Sequence, residues 1–215
     1  VNTRHHANAR VRVKICGVTD VAGAQAAVAA GADAVGFVFA RSPRRVDIER
    51  ASTINEAIPP FVARVAVFRY PDPAEVLDIA GALRPDLVQT EVDPALLERL
   101  AGRVRLLPVV HDGPGLEQEV AYVLDALGDH TPILVEAAGP GGRGIAPDWE
   151  HAAALAQRVR LVLAGGLRPD TVAAAIARVK PYAVDVSSGV ESAPGVKDPD
   201  LVAEFVKAVR GPIVL

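Results

Sequence analysis

Eight short β-branched runs alternate with eight longer, alanine-rich amphipathic runs along the 215 residues, and that alternation constrains the fold more than any other feature. The predicted strands are "RVKIC" (12–16), "DAVGFVF" (33–39), "VARVAVF" (62–68), "DLVQ" (86–89), "VRLLPVV" (104–110), "PILVE" (132–136), "VRLVLAG" (159–165) and "YAVDVS" (182–187). The predicted helices cover 20–30, 47–57, 73–83, 94–101, 115–128, 148–157, 169–179 and 198–209. Asp20, Asp47, Asp93 and Asp198 stand where N-caps belong, and Pro73, Pro94, Pro169 and Pro199 suit a first helical turn. Strands joined by helical crossovers run parallel. Eight such units close naturally into a single α/β domain, a (β/α)8 TIM barrel at the short end of that fold's length; a doubly wound open sheet is the alternative. Residues 1–10 read as a flexible tail and 11–215 as the barrel, with no linker between.

Half of the residues are apolar, enough for one sizeable core. A formal net charge of −3 and a pI near 6.0 give no sign of a nucleic-acid or anionic-membrane partner. An anionic small ligand stays possible, because backbone amides at helix starts bind phosphate without net positive charge. One cysteine cannot form an internal disulfide, which points to a reducing, cytoplasmic setting. No apolar run approaches the ~20 residues of a membrane span, and "VNTRHHANAR" lacks the apolar stretch of a secretory signal. His5 and His6 in that segment read as incidental rather than as metal ligands. The chain is expected to be a monomer or a homodimer.

Alternate residues of a strand share a face. In the first strand Val11, Val13 and Ile15 point one way and Arg12, Lys14 and Cys16 the other. The apolar set should meet the helices, and the polar set should line the barrel with Cys16 nearest the C-terminal mouth, where barrel enzymes place their chemistry. Lys14, about 6–7 Å along the same face, is expected to favour the Cys16 thiolate. A small buried core residue is the other reading of a lone cysteine.

Three glycine-rich stretches follow the sixth, seventh and eighth strands: "GPGGRG" (139–144), "LAGGLRPD" (163–170) and "DVSSG" (185–189). Glycine lets a backbone approach a ligand closely, and successive amides can cradle phosphate. Phosphate sites of barrels lie after strands seven and eight. The expected ligand is a small phosphorylated molecule.

"KICGVTD", "GADAVGFVFARSPRRV", "PPFVARVAVF", "LAGGLRPDTV" and "VKPYAVDVSSGVESAPGVKDP", in this order between residues 11 and 209, resemble the phosphoribosylanthranilate isomerase family of tryptophan biosynthesis. The resemblance implies a single (β/α)8 barrel. It implies an Amadori rearrangement of N-(5-phosphoribosyl)anthranilate to the 1-deoxyribulose compound, without a cofactor or metal. It makes Cys16 the general base and Arg44 the partner of the anthranilate carboxylate. Lys14 and Asp185 become polar residues of the substrate-facing wall. Gly142, Gly144, Gly165, Gly166, Ser188 and Gly189 become the phosphate grip.

The sequence departs from that pattern near strands four and six. Glu136 stands where the family carries an aspartate as general acid, and is expected to take that role with one extra methylene. Thr90 or Glu91 stands where the family has a histidine after strand four. In "GGRGIAPDW", Arg143 and Ile145 replace a small residue and a lysine, and Arg143 could add a phosphate contact. These changes leave two alternatives open: a paralogue acting on a related phosphorylated aminosugar, or a phosphate-binding barrel without turnover. His111 and Asp112 are expected in a polar loop after strand five, and Trp149 as a packing residue.

Overall fold

A computed structural model describes residues 10–137 and 146–211. Residues 1–9, including His5 and His6, lie outside the described residues, as do Gly142, Arg143, Gly144 and Ile145. Eight parallel strands follow one another around a closed ring: β1 (Arg12–Cys16), β2 (Ala34–Val38), β3 (Ala63–Val67), β4 (Leu87–Glu91), β5 (Leu106–Asp112), β6 (Pro132–Ala137), β7 (Arg160–Leu163) and β8 (Ala183–Val186). β8 pairs with β1, setting Lys14 beside Asp185, so the sheet has no edge. The open-sheet alternative is thereby excluded. Helices α1 (Val21–Ala30), α2 (Ile48–Glu56), α3 (Pro73–Leu83), α4 (Pro94–Leu100), α5 (Leu116–Leu127), α6 (Trp149–Ala156), α7 (Val172–Val179) and α8 (Pro199–Arg210) each follow a strand.

The strand alternation divides the core in two. Val13, Ile15, Val35, Ile133 and Val184 point outward into the layer between strands and helices. Val65, Leu107, Val109, Leu134, Val162 and Ala183 point inward and fill the barrel. Burying each such Val or Leu contributes roughly 1.5–3 kcal/mol. Trp149 packs at the margin of the outer layer, as expected. At the seam, Asp33 accepts from Val13 N (2.8 Å) and Arg210 Nη2 (2.9 Å), tying β1, β2 and α8 together.

All four expected aspartate caps accept a backbone N–H, and Asp72 and Asp148 do the same for α3 and α6. Each such cap is worth about 1 kcal/mol. Pro73, Pro94 and Pro199 occupy first turns. Pro169 does not: α7 begins at Val172, because residues 168–171 close a separate turn through Arg168 N to Thr171 Oγ1 (3.0 Å) and Thr171 N to Arg168 O (3.1 Å).

Two strands run further than their composition suggested. β4 continues through Thr90 and Glu91, which pair with Pro108 and Val109. β5 continues through His111 and Asp112, which pair with Glu136 and Ala137. His111 is thus a strand residue at the mouth, not a loop residue. After β8 the chain makes a 3-10 turn (Ser188–Val190) and an unexpected hairpin, β9 (Glu191–Ala193) and β10 (Val196–Lys197). Gly195 turns it at φ 87°, a conformation that favours glycine. Thr19 Oγ1 donates to Gly195 O (2.6 Å), which holds the hairpin against the β1–α1 loop. Among the described residues, no helix is long and apolar enough to cross a membrane.

Candidate active site

The parity of β1 holds. Val13 and Ile15 are buried outward, while Lys14 and Cys16 face the interior. Lys14 Nζ donates to Asp185 Oδ1 at 2.7 Å across the β1–β8 seam, with both side chains nearly inaccessible. A Cβ placed on Gly36 of the neighbouring β2 would lie 3.0 Å from Cys16 Sγ and 3.2 Å from Lys14 Nζ. Thiol and ammonium therefore crowd the same spot, and a Cβ at 36 would press on both.

Lys14 pulls Cys16 towards the thiolate, the direction expected from the strand, but burial decides the balance. Burial pushes Cys16 up, outweighing the downward pull of Lys14, and Asp185 adds to the rise. The resting group is therefore the thiol, whose thiolate is a scarce but strong base. Burial works to lower Lys14, but Asp185 and Cys16 outweigh it and keep the ammonium charged.

Glu136 is the penultimate residue of β6, on the inward side, two residues beyond Leu134 of the inner core. It is half-buried. Burial raises its carboxyl above the ordinary range, and Asp185 adds to the rise against Lys14 and Arg69. A carboxyl that holds its proton longer suits a general acid.

Next to it, Glu91 of β4 lies 3.6 Å from both Arg69 Nε and His111 Nε2. Burial raises Glu91 as well, with His111 opposing. Its Oε2 and His111 Nε2 are buried without a hydrogen-bond partner among the described residues. His111 becomes part of the mouth because β5 is longer than predicted. The next residue, Asp112, accepts from Asp148 N (2.6 Å) and bonds His151 Nδ1 (2.9 Å), which fastens the start of α6 to β5.

Arg44 stands in the β2–α2 loop, its stem across Gly17, where a Cβ would meet Arg44 Cδ at 2.5 Å. Nε and Nη2 each donate to Glu191 at 2.7 Å. Glu191 also accepts from Lys197 Nζ at 2.7 Å. The sequence reading missed Glu191 and Lys197. The available signal was the pair of opposite charges flanking Pro194–Gly195, which is what a hairpin sets face to face; Lys197 and Glu191 do pair across β9 and β10.

Gly165 and Gly166, after β7, turn with φ of 91° and 62°. A Cβ on Gly189 would meet Leu167 O at 2.0 Å, so the loops after β7 and β8 pack backbone to backbone through glycine. Ser188 at their junction is exposed. Two clefts of about 530 and 410 Å³ lie elsewhere, at the strand starts around Asp86, Arg105 and Pro132, and contain none of these side chains. Among the described residues, no three His, Cys, Asp or Glu side chains converge as a metal site.

A closed barrel with an inward cysteine, two raised carboxyls at the mouth and a glycine junction after β7 and β8 agrees with three comparisons. The family model for N-(5'-phosphoribosyl)anthranilate (PRA) isomerase matches residues 13–208. The Geobacter sulfurreducens protein named N-(5'-phosphoribosyl)anthranilate isomerase is 45% identical over 209 residues, covering 94% of this chain and 99% of its own. A solved phosphoribosyl anthranilate isomerase in complex with reduced 1-(o-carboxyphenylamino)-1-deoxyribulose 5-phosphate superposes with a TM-score of 0.81 at 39% identity, over 94% of this chain and 100% of that one. Monomers generated from the dimeric enzyme of Thermotoga maritima superpose at 0.80 with 37% identity, again over 94% and 100%. Identity and coverage of this extent, on a fold that is the same from β1 to α8, mean that the chain belongs to the N-(5'-phosphoribosyl)anthranilate isomerase family.

Proposed function

We propose that the chain converts N-(5'-phosphoribosyl)anthranilate to 1-(2-carboxyphenylamino)-1-deoxyribulose 5-phosphate by acid–base catalysis, with Glu136 as acid and Cys16 as base. Glu136 gives its proton to the ribose ring oxygen as the C1–O bond breaks, and the anthranilate nitrogen lone pair forms the C1=N bond. The Cys16 thiolate then takes the proton on C2. That electron pair becomes C1=C2, and the C=N pair returns to nitrogen. The enolamine loses its hydroxyl proton and gains one at C1, giving the ketone. Protons balance over the cycle, so the chemistry requires only proton transfers, and no cofactor enters the scheme.

One observation carries the reading: a thiol on β1 and a proton-retaining carboxyl on β6 face the same barrel interior, joined electrostatically through Asp185 and Lys14. Arg44 is assigned to the anthranilate carboxylate, since a planar guanidinium matches it. The phosphate is assigned to the amides around Gly165, Gly166, Ser188 and Gly189, with Gly142 and Gly144 as further contacts. The substitution of Glu136 for an aspartate favours neither alternative by itself, because burial shifts the longer acid in the direction that a general acid needs. The substrate and the lone cysteine fit a cytoplasmic enzyme, monomeric or dimeric as in Thermotoga maritima.

Complementation of a tryptophan auxotroph lacking this isomerase, with turnover by the purified chain, tests the reading. Rescue that disappears in Cys16→Ser and in Glu136→Gln is expected. Full rescue by Glu136→Gln would remove Glu136 from the acid role, and absence of rescue by the unaltered, folded chain would overturn the function.

A further inference from the structure

Among the described residues, Lys197 is the least accessible cation at the mouth, with a side chain 1% exposed, and Glu191 beside it is 4% exposed. The acid–base steps use neither. Burying two ionised groups is costly unless each is matched, and here the matching involves a third group. Glu191 spans Arg44 Nε and Nη2 with its two oxygens, both at 2.7 Å, and Oε1 is shared with Lys197 Nζ at 2.7 Å. Lys197 also donates to Ser187 O at 3.1 Å, anchoring the hairpin to the end of β8. Two of the five guanidinium N–H groups of Arg44 point at Glu191, which leaves the Nη1 pair and one Nη2 hydrogen for another acceptor.

An isolated Arg44–Glu191 pair would be neutral, and an incoming carboxylate would feel Glu191 as strongly as Arg44. With Lys197 in place the trio carries one net positive charge. We propose that Glu191 and Lys197 are positioning residues that set specificity: Glu191 fixes the guanidinium plane of Arg44, and Lys197 offsets the charge of Glu191 so that Arg44 still attracts a carboxylate-bearing aryl amine. This rests on the assignment of Arg44 to the anthranilate carboxylate. The chemistry recognised is an aromatic carboxylate next to the reacting nitrogen, as distinct from the phosphate at the other end of the ligand.

The test is calorimetric binding to the full chain of two probes: reduced 1-(o-carboxyphenylamino)-1-deoxyribulose 5-phosphate, and the same compound without the ring carboxylate. Lys197→Met is expected to weaken the carboxylate probe about tenfold or more and to leave the other within about twofold, because only the former meets the lost charge. Lys197→Arg should retain discrimination. The double variant Lys197→Met with Glu191→Gln restores one net positive charge at Arg44, while the amide oxygen at 191 can still accept one of the two guanidinium N–H bonds, so it should recover part of the lost affinity, which a purely structural role for the hairpin would not produce. Equal weakening of both probes, or a double variant no better than Lys197→Met, overturns the proposal. If the unaltered chain binds neither probe, the isomerase reading itself falls and takes the proposal with it; if it binds both and only the variants misbehave, the proposal alone falls.

Discussion

Gly189→Ala tests whether the loops after β7 and β8 act as one phosphate cradle. The new Cβ would sit 2.0 Å from Leu167 O and 3.0 Å from its carbonyl carbon. Carbon and oxygen in contact stay about 3.3 Å or more apart, so the two backbones must part by roughly 1 Å. Neither can swing freely, since Leu167 and Val190 are both buried in the outer core. The displacement therefore falls on the amides assigned to phosphate. A shift of ~1 Å in a positioned group can cost about a hundredfold, and overpacking costs about 1–3 kcal/mol. At this chain length each kcal/mol lowers Tm by about 2–4 °C. Steady-state kinetics should show KM raised at least about tenfold, with weaker inhibition by inorganic phosphate and a lower Tm. Gly31→Ala is the control: φ is 88° and nothing lies within 4 Å, so Tm should fall while KM stays put. A folded Gly189→Ala enzyme with unchanged KM would refute the cradle.

Cys16→Ser and Glu136→Gln should each lower kcat by about 10²–10⁴ with little change in KM, the usual range for losing a positioned acid or base; Glu136→Asp should lose less. The pH dependence of kcat/KM should be flat between two limbs, because thiolate with carboxylic acid has the same proton count as thiol with carboxylate. The acid limb should lie above the usual carboxylate value of 4.5 and the alkaline limb above the usual thiol value of 9.0. Asp185→Asn should move both limbs down, as it removes a negative charge that raises each group; immobile limbs would contradict the coupling. Glu136 binds its proton more tightly when folded than when unfolded, so its contribution to stability is present below the unfolded value and lost as pH rises through the folded one. Glu136→Gln should accordingly raise Tm at pH 8, with the gain shrinking towards pH 4.

The barrel was legible because its cause is periodic. Alternating "RVKIC" and "PILVE" can only bury one face, and the aspartate caps mark where the chain leaves each strand. The inward direction of Lys14 and Cys16 followed from the same parity, whereas Glu136 was singled out only by the family resemblance. What failed were features decided by neighbours in space. Thr90, Glu91, His111 and Asp112 look like loop residues in one dimension; they extend β4 and β5 because adjacent strands supply their hydrogen bonds. Glu191 and Lys197 lie in a segment with no apolar period, and their burial depends on Arg44, nearly 150 residues away along the chain. The net protonation of Cys16 was not legible for a related reason. The spacing from Lys14 gives the sign of one interaction, while the depth of the thiol decides the balance.

Asp185 explains why that balance serves the chemistry. Lys14 pulls Cys16 towards the thiolate, and a thiol of lower proton affinity is a weaker base. Asp185 takes the ammonium at 2.7 Å and raises the thiol in its own right. The same carboxylate raises Glu136 across the barrel, so one negative charge increases the proton affinity of acid and base alike. The productive pair is then a minor tautomer of the resting enzyme, reached by moving one proton from sulfur to carboxylate. Asp185 itself is held by Lys14, within a wall where the sheet is closed and both side chains are buried. An arrangement of this kind needs the seam between β1 and β8 to be rigid. The anchoring of Arg210 onto Val11 O (2.6 Å) and Asp33 at the far end of that seam, and of Lys197 onto Ser187 at the near end, supplies that rigidity from outside the site.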